Sequence, residues 1–316
     1  MARVNFALGA MKFGNEVAEA TASAILDRFV AAGGSMIDTA DCYEFWAHSS
    51  GHGGQSENLL GRWLAGNPGV RDSVFLSTKV GAEPVGTGDW PANRQGLSAA
   101  VIESALRGSL ERLGTDRIDL YWAHMEDRAT DLAETVTAFG KLVADGAVGR
   151  LGVSNHPTWR VERARALASG SGLAGYSALQ LRYTYLRPRP GAPIPGDAHP
   201  FGAATDETLD YVRVNPDVEL WAYTPLLAGG YTRSDRMPEV YGHPGNERRL
   251  AALDAVAGEL GATRNQVVLA WLAGGDPRIT PIVGVSSVAQ LDEALAASAL
   301  TLSAAQRDRL DSADAS

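Results

Sequence analysis

Val74-Phe75-Leu76-Ser77-Thr78-Lys79-Val80 is a short run that opens with apolar residues on consecutive positions. A strand exposed on one face alternates apolar and polar side chains. Consecutive apolar residues instead suit a strand covered on both faces, as in a parallel sheet. Similar runs stand on either side of it. Upstream are Val4 to Ala10 and Ser35 to Asp38. Downstream are Ile118 to Trp122, Val148 to Ser154, Ala178 to Leu181, Glu219 to Tyr223 and Ile282 to Val285. Amphipathic stretches fill the intervals: Ala18 to Ala32 stops at Gly33-Gly34, Ala99 to Leu113 at Gly114, and Leu132 to Asp145 at Gly146. Glycine at such a position ends a helix because it accepts a left-handed backbone. Strand alternating with helix implies right-handed βαβ units, and this number of them fits a closed (β/α)8 TIM barrel better than an open sheet. No internal repeat or linker interrupts the pattern, so residues 1–316 are predicted to form one domain.

Composition narrows the partners. The chain has 316 residues, 45% of them hydrophobic, enough for a large core. Its formal net charge of -9 argues against nucleic acid, which needs a basic face. Cys42 is the single cysteine, so no intramolecular disulfide forms, as suits a reducing cytosol. Met1 to Ala10 lacks the apolar core of a signal peptide, and no run of about 20 apolar residues occurs. The expectation is a cytoplasmic protein with a small-molecule partner and no membrane contact.

In barrels of this kind the chemistry sits at the C-terminal ends of the strands. Those ends carry Asp38, Lys79, His124, Ser154-Asn155, Gln180 and Tyr223. Each alone has an ordinary explanation, such as a surface lysine, a rim histidine or an aspartate cap. Packing does not explain six ends carrying ionisable, amide or phenolic groups together. Tyr43 lies close to Asp38 on the same loop. A phenol, with an ordinary pKa of about 10, is a poor acid at neutral pH. A neighbouring ammonium is expected to lower that value, an aspartate to keep the lysine charged, and a histidine to orient a carbonyl oxygen. Two connections are long enough to be functional: Glu44 to Gln55, and Arg182 to Ala204.

With these residues in place, the chain resembles the aldo-keto reductases along nearly its whole length. Leu8 to Gly14 is similar to the family's first strand segment. Ile37-Asp38-Thr39-Ala40-Asp41-Cys42-Tyr43 is similar to its Asp-Thr-Ala-x-x-Tyr signature, and Ser56 to Gly61 to the helix start that follows. Ser77-Thr78-Lys79 resembles the lysine strand. Leu113 to His124 is the most specific match, and Gly152-Val153-Ser154-Asn155 follows in order.

The resemblance implies a carbonyl–alcohol oxidoreductase using a nicotinamide cofactor. Tyr43 would be the general acid in reduction and the base in oxidation, tuned by Lys79 and Asp38, with His124 orienting the substrate. Ser154, Asn155 and Gln180 would hold the nicotinamide carboxamide, and Tyr223 would stack on the ring. Pro225 and Leu226 would open the segment over the pyrophosphate. Ala10, Met11 and Asp38 would border the cofactor, and Gly284, Ser286, Gln290 and Glu293 its adenosine end. The family binds its cofactor without a Gly-x-Gly-x-x-Gly loop, so the lack of one here is no objection. A non-catalytic, cofactor-binding sensor of the same fold is the alternative, which the complete Asp38–Tyr43–Lys79–His124 set disfavours. His124 also argues against carbon–carbon double-bond reduction, which in the family goes with glutamate there.

The chain departs from the family in several places. The N-terminal hairpin is shortened or absent, the loop after Tyr43 is long, Gly81 replaces an aromatic pocket wall, and Ala294 stands where an amide is usual. The segment Ile279 to Gln306 contains no Lys or Arg to grip an adenosine 2'-phosphate; Ser286, Ser287, Gln290 and a helix N-terminus remain, with Arg233 or Arg236 within conceivable reach. NADP(H) is expected by family habit, with NAD(H) nearly as well accommodated. Trp46 and Trp90 are candidate walls of the substrate pocket, Trp46 a substrate-binding residue beside Tyr43 and His124. His48 and His52 are four apart, but in a Gly-Ser-rich loop rather than a helix, so no metal is expected. Cys42 reads as a small buried filler and Arg160 to Arg165 as a solvated helix face. Sugar-derived carbonyls are the preferred substrates on polarity of the loops, with aliphatic or aromatic aldehydes as alternatives.

Overall fold

The computed structural model describes residues 3–194 and 199–313. Eight parallel strands close on themselves: β1 (Ala7–Gly9), β2 (Met36–Asp38), β3 (Phe75–Val80), β4 (Ile118–Ala123), β5 (Val148–Ser154), β6 (Tyr176–Arg182), β7 (Glu219–Tyr223) and β8 (Ile279–Gly284), each bonded to the next. Ala7 pairs with Ile282 and Gly9 with Gly284, which seals the barrel. The helices are α1 (Glu19–Ala31), α2 (Gln55–Gly66), α3 (Ala99–Leu113), α4 (Leu132–Ala144), α5 (Thr158–Gly170), α6 (Asp206–Val214), α7 (Pro244–Leu260), α8 (Arg264–Ala273), α9 (Val288–Ala297) and α10 (Ala304–Asp311). None described here is long and apolar enough to cross a membrane. The fold is the predicted TIM barrel.

Element ends move by a few residues. β1 begins at Ala7 rather than Val4, and residues 3–6 form no strand, so no hairpin precedes the barrel among the described residues. β8 begins at Ile279, before Pro281, a residue that cannot donate to a ladder. β6 begins at Tyr176. The glycine stops hold: Gly114 caps α3 at φ 63° and Gly146 follows α4 at φ 79°.

Two apolar layers result. Alternate strand residues point into the barrel, where Leu120, Trp122, Ala178, Trp221 and Ile282 pack together. The Trp122 and Trp221 rings meet edge-on at 5.5 Å. Gly152 makes room for this, since a Cβ there would sit 2.3 Å from the Trp122 ring. The remaining strand residues face the helices and form the larger outer core. At the N-terminal end of the barrel Arg150 pairs with Glu219 at 3.0 Å. Helix α5 corrects one expectation. Arg160 and Arg165 are only 12% and 19% exposed, bound to the carbonyls of Asp127 and Tyr176, so that face is half-buried rather than solvated.

Candidate active site

The two-residue period of a strand explains the site's location. Phe75, Ser77 and Lys79 share the inward face of β3; Leu120, Trp122 and then His124 share that of β4; Trp221 and Tyr223 share that of β7. The apolar members fill the barrel, and the polar ones emerge above them at its C-terminal end. Asp38, Ser154 and Gln180 stand at the corresponding positions of β2, β5 and β6, in register Asp38–Ser77 and Ser154–Gln180.

Lys79 has no solvent exposure. Its ammonium donates to Asp38 Oδ2 at 2.5 Å, to the Thr39 carbonyl at 2.7 Å and to the Tyr43 hydroxyl at 2.8 Å. An ammonium has three hydrogens, and these three acceptors use them all. Asp38 Oδ1 accepts from Ser77 Oγ at 2.6 Å and from Gln180 Nε2 at 3.2 Å. The buried charge pair is thus hydrogen-bonded on both sides, as burial requires. His124 lies edge-on to Tyr43, with ring centroids 5.8 Å apart. Its Nδ1 is 3.5 Å from Cys42 Sγ, so the cysteine fills space and also touches the histidine.

The electrostatics correct one expectation. Burial first, and the charge of Asp38 second, push the Tyr43 phenol well above its ordinary value. The Lys79 charge is spent on Asp38, so it does not produce the expected net lowering. Tyr43 is therefore a protonated donor at neutral pH. Burial, then the Lys79 charge, hold His124 well below the usual imidazole range, so it is neutral. Burial likewise pushes the Cys42 thiol up.

Of the residues singled out for a cofactor, Ser154, Asn155, Gln180 and Tyr223 are bonded to this group or to one another. Asn155, at φ 58°, donates to the His124 carbonyl at 2.9 Å and to Ser154 Oγ at 3.1 Å. The Tyr223 hydroxyl lies 3.0 Å from both Asn155 Oδ1 and the Gly202 carbonyl. The Arg182 guanidinium is 5.5 Å from the Tyr223 ring centre. Ala10 is buried and its carbonyl accepts from Ser56, while Met11 is 42% exposed at the rim. The Pro225 carbonyl accepts from Thr184, and Thr224, Leu227 and Ala228 around Leu226 all have positive φ. Amide and hydroxyl groups beside a flat ring are a donor set that suits a carboxamide-bearing aromatic ring. At the end of β8, Gly284 is exposed, and the Ser286 amide and hydroxyl both donate to Gln290 Oε1. Glu293 accepts from Thr263 and Asn265, and Asp292 pairs with Arg28 at 2.8 Å. Arg233 is paired with Asp235, whereas Arg236 reaches toward Gly229.

The long loops border the same mouth. Trp46 and Trp90 are 46% and 38% exposed, and Phe45 touches both, at ring separations of 5.2 and 5.5 Å. Trp46 donates to Glu16, itself paired with Lys12, and Trp90 to the Ala82 carbonyl. His52 and the Gly53 amide bind Glu83, while His48 bonds Ser50. Gly81 has φ 105°, and a Cβ there would lie 2.7 Å from Leu97, so no aromatic fits. Residues 195–198 of the second loop lie outside the described residues. Sequence reasoning missed Ser77, although it shares the inward parity of Lys79. It also missed the Thr39 carbonyl, although Thr39 lies within the Asp-Thr-Ala-x-x-Tyr stretch, and Gly202, which carries no local signal.

A buried Lys–Asp pair thus stands under a protonated tyrosine and a neutral histidine at the mouth of a closed barrel, a group able to give a proton to a carbonyl oxygen. The aldo/keto reductase family model matches residues 5–315, and the chain belongs to that family. Its members are NAD(P)H-dependent enzymes that act on small carbonyl compounds and typically use NADP(H). The chain is 31% identical to an uncharacterized oxidoreductase, YrpG, of Bacillus subtilis over 297 residues, covering 93% of this chain and 87% of that one. It is 30% identical to norsolorinic acid reductase A of Aspergillus parasiticus over 327 aligned positions, 97% and 76% of the two chains. An aryl-alcohol dehydrogenase of Pestalotiopsis microspora is 33% identical over 185 residues, 56% and 46% of the two chains.

Proposed function

We propose that this protein, acting as one barrel domain over residues 1–316, reduces aromatic aldehydes or ketones to alcohols, with Tyr43 as the proton donor. The observation that carries the reading is the Lys79–Tyr43 hydrogen bond. Because the ammonium donates to the phenolic oxygen, the phenol's own hydrogen is left to point away, toward a substrate. A bound nicotinamide supplies the hydride. The carbonyl oxygen accepts from Tyr43 and from neutral His124; as charge builds on that oxygen, Tyr43 gives up its proton, and Lys79 stabilises the phenolate that remains.

Ser154, Asn155 and Gln180 would hold the carboxamide and Tyr223 the ring. Pro225 and Leu226 would lie along the pyrophosphate. Ala10, Met11 and Asp38 would line the nicotinamide end, and Gly284, Ser286, Gln290 and Glu293 the adenosine. NADP(H) is the proposed cofactor, with NAD(H) close behind, since no cation stands in the turn after β8. Trp46, Phe45 and Trp90 favour a planar aromatic substrate over the sugar-derived one preferred on loop polarity. The names of two relatives, a norsolorinic acid reductase and an aryl-alcohol dehydrogenase, point the same way.

The test is Tyr43→Phe against a panel of aryl, aliphatic and sugar aldehydes, with both cofactors. Removing general acid catalysis should lower kcat by about 100- to 10,000-fold while leaving cofactor affinity unchanged. Retention of a tenth of wild-type turnover would overturn the role of Tyr43. Faster turnover of sugar aldehydes than of aryl aldehydes would overturn the substrate class.

A further inference from the structure

Glu126, in the loop after β4, carries a side chain only 1% exposed and takes no part in the chemistry above. Its Oε1 faces Arg128 Nε at 2.9 Å and Arg160 Nε at 3.4 Å, and its Oε2 faces His199 Nε2 at 3.1 Å. His199 belongs to the long loop after β6, so this contact ties two barrel loops together. The Phe201 amide donates to His199 Nδ1, which leaves Nε2–H as the donor toward Glu126. The His199 carbonyl then accepts from the Gly202 amide at 3.0 Å, closing a tight turn.

That turn ends on the cofactor residues. The Gly202 carbonyl accepts from the Arg182 amide at 2.7 Å and faces the Tyr223 hydroxyl at 3.0 Å. A Cβ on Gly202 would lie 3.0 Å from Asn155 Oδ1 and 3.1 Å from the Tyr223 hydroxyl, tighter than ordinary contact. The absence of a side chain therefore lets this backbone reach both residues.

We infer that Glu126 and His199 are positioning residues: they fold the 199–202 turn against Tyr223 and Asn155, and so complete the wall that holds the nicotinamide ring. The inference rests on the proposed role of Asn155 and Tyr223. It assigns to the loop after β6 a part in cofactor orientation, in addition to any part in substrate choice.

The experiment compares NADPH with 2'-phospho-ADP-ribose, which is the same molecule without its nicotinamide. Dissociation constants are read from tryptophan fluorescence of the full chain. His199→Ala should weaken NADPH about tenfold, as expected for loss of a hydrogen bond to a charged group, and change the truncated ligand less than about twofold. Gly202→Ala, which leaves the ion pairs in place, should do the same. His199→Gln, whose amide can still donate to Glu126, should recover most of the loss. Equal weakening of both ligands would mean a merely structural turn and overturn the inference, as would unchanged NADPH binding in both alanine variants. Tyr223→Ala and Asn155→Ala serve as references. If they weaken NADPH and the turn variants do not, only this inference falls. If they too leave NADPH unchanged, the cofactor assignment falls with it.

Discussion

Lys79 donates a 2.8 Å hydrogen bond to the Tyr43 hydroxyl from a side chain with no solvent exposure. The same nitrogen is bound to Asp38, so the positive charge reaches Tyr43 largely cancelled. The lysine therefore acts on the tyrosine more as a directed donor than as a free charge, and burial sets the tyrosine's resting state.

The pH dependence follows from this arrangement. Alcohol oxidation needs the phenolate, whose formation burial and Asp38 both oppose, so the oxidation rate should keep rising past pH 10. Lys79→Met removes the donor and leaves Asp38 unopposed; the midpoint should move up by about a unit or more. Asp38→Asn removes the opposing charge, and the midpoint should move down. Stopped-flow oxidation rates across pH decide the matter, and shifts of both variants in one direction would refute the account. Lys79→Met should also destabilise the fold by about 3–5 kcal/mol, because a buried carboxylate loses its partner.

Trp46 should govern substrate choice. It stands at the mouth, half-exposed, 6.3 Å from the Tyr43 ring and anchored through Glu16. Trp46→Ala should lower kcat/KM for aryl aldehydes about tenfold relative to short aliphatic ones, in keeping with the loss of one aromatic contact surface. Cofactor affinity should stay the same. A uniform loss over all substrates would remove Trp46 from the pocket.

Cofactor preference should be small in the native protein. The donors of the turn after β8 are engaged with one another: the Ser286 amide and hydroxyl with Gln290, and the Gln290 amide with Ser287. Gln290→Arg places a guanidinium in this turn and releases the Ser286 amide. It should raise the NADPH-over-NADH ratio of kcat/KM by about tenfold or more, the size of a charge-assisted hydrogen bond. An unchanged ratio would place the 2'-phosphate elsewhere, and Arg236→Ala would then be expected to abolish the native preference.

Acid should destabilise the fold through His156. This residue is 6% exposed and donates from Nδ1 to the Ser154 carbonyl at 2.7 Å. Burial holds its folded pKa at about 4, against 6.5 for the free side chain. The unfolded chain then binds the proton first. Stability is complete above pH 6.5 and declines as pH falls toward 4, by on the order of 3 kcal/mol. Urea unfolding at pH 7.5 and 4.5 measures this, and His156→Gln should flatten the slope. His124, lowered in the same direction, adds to the effect in the parent protein.

Much of the fold was legible because the signals are local. Consecutive apolar residues, glycine stops such as Gly114 and Gly146, and alternation of strand with helix act over a few positions, and the barrel is the closure they permit. Asp38, Lys79 and His124 were legible for the same reason, since each ends a strand whose parity points inward. What the chain could not show locally was the balance among them. The protonation of Tyr43 depends on how deeply the barrel buries it and on where the Lys79 charge is spent, and both are sums over residues distant in sequence. The half-buried Arg160 is of the same kind: it looks solvated until Glu126 and Asp127 arrive from the loop after β4. Gly202 has no meaning within its own loop and acquires one only where Tyr223 and Asn155 leave no space for a Cβ. Residue types and their spacing thus determined which groups meet at the mouth of the barrel, and tertiary packing, through desolvation and steric exclusion, decided their charge states and orientations.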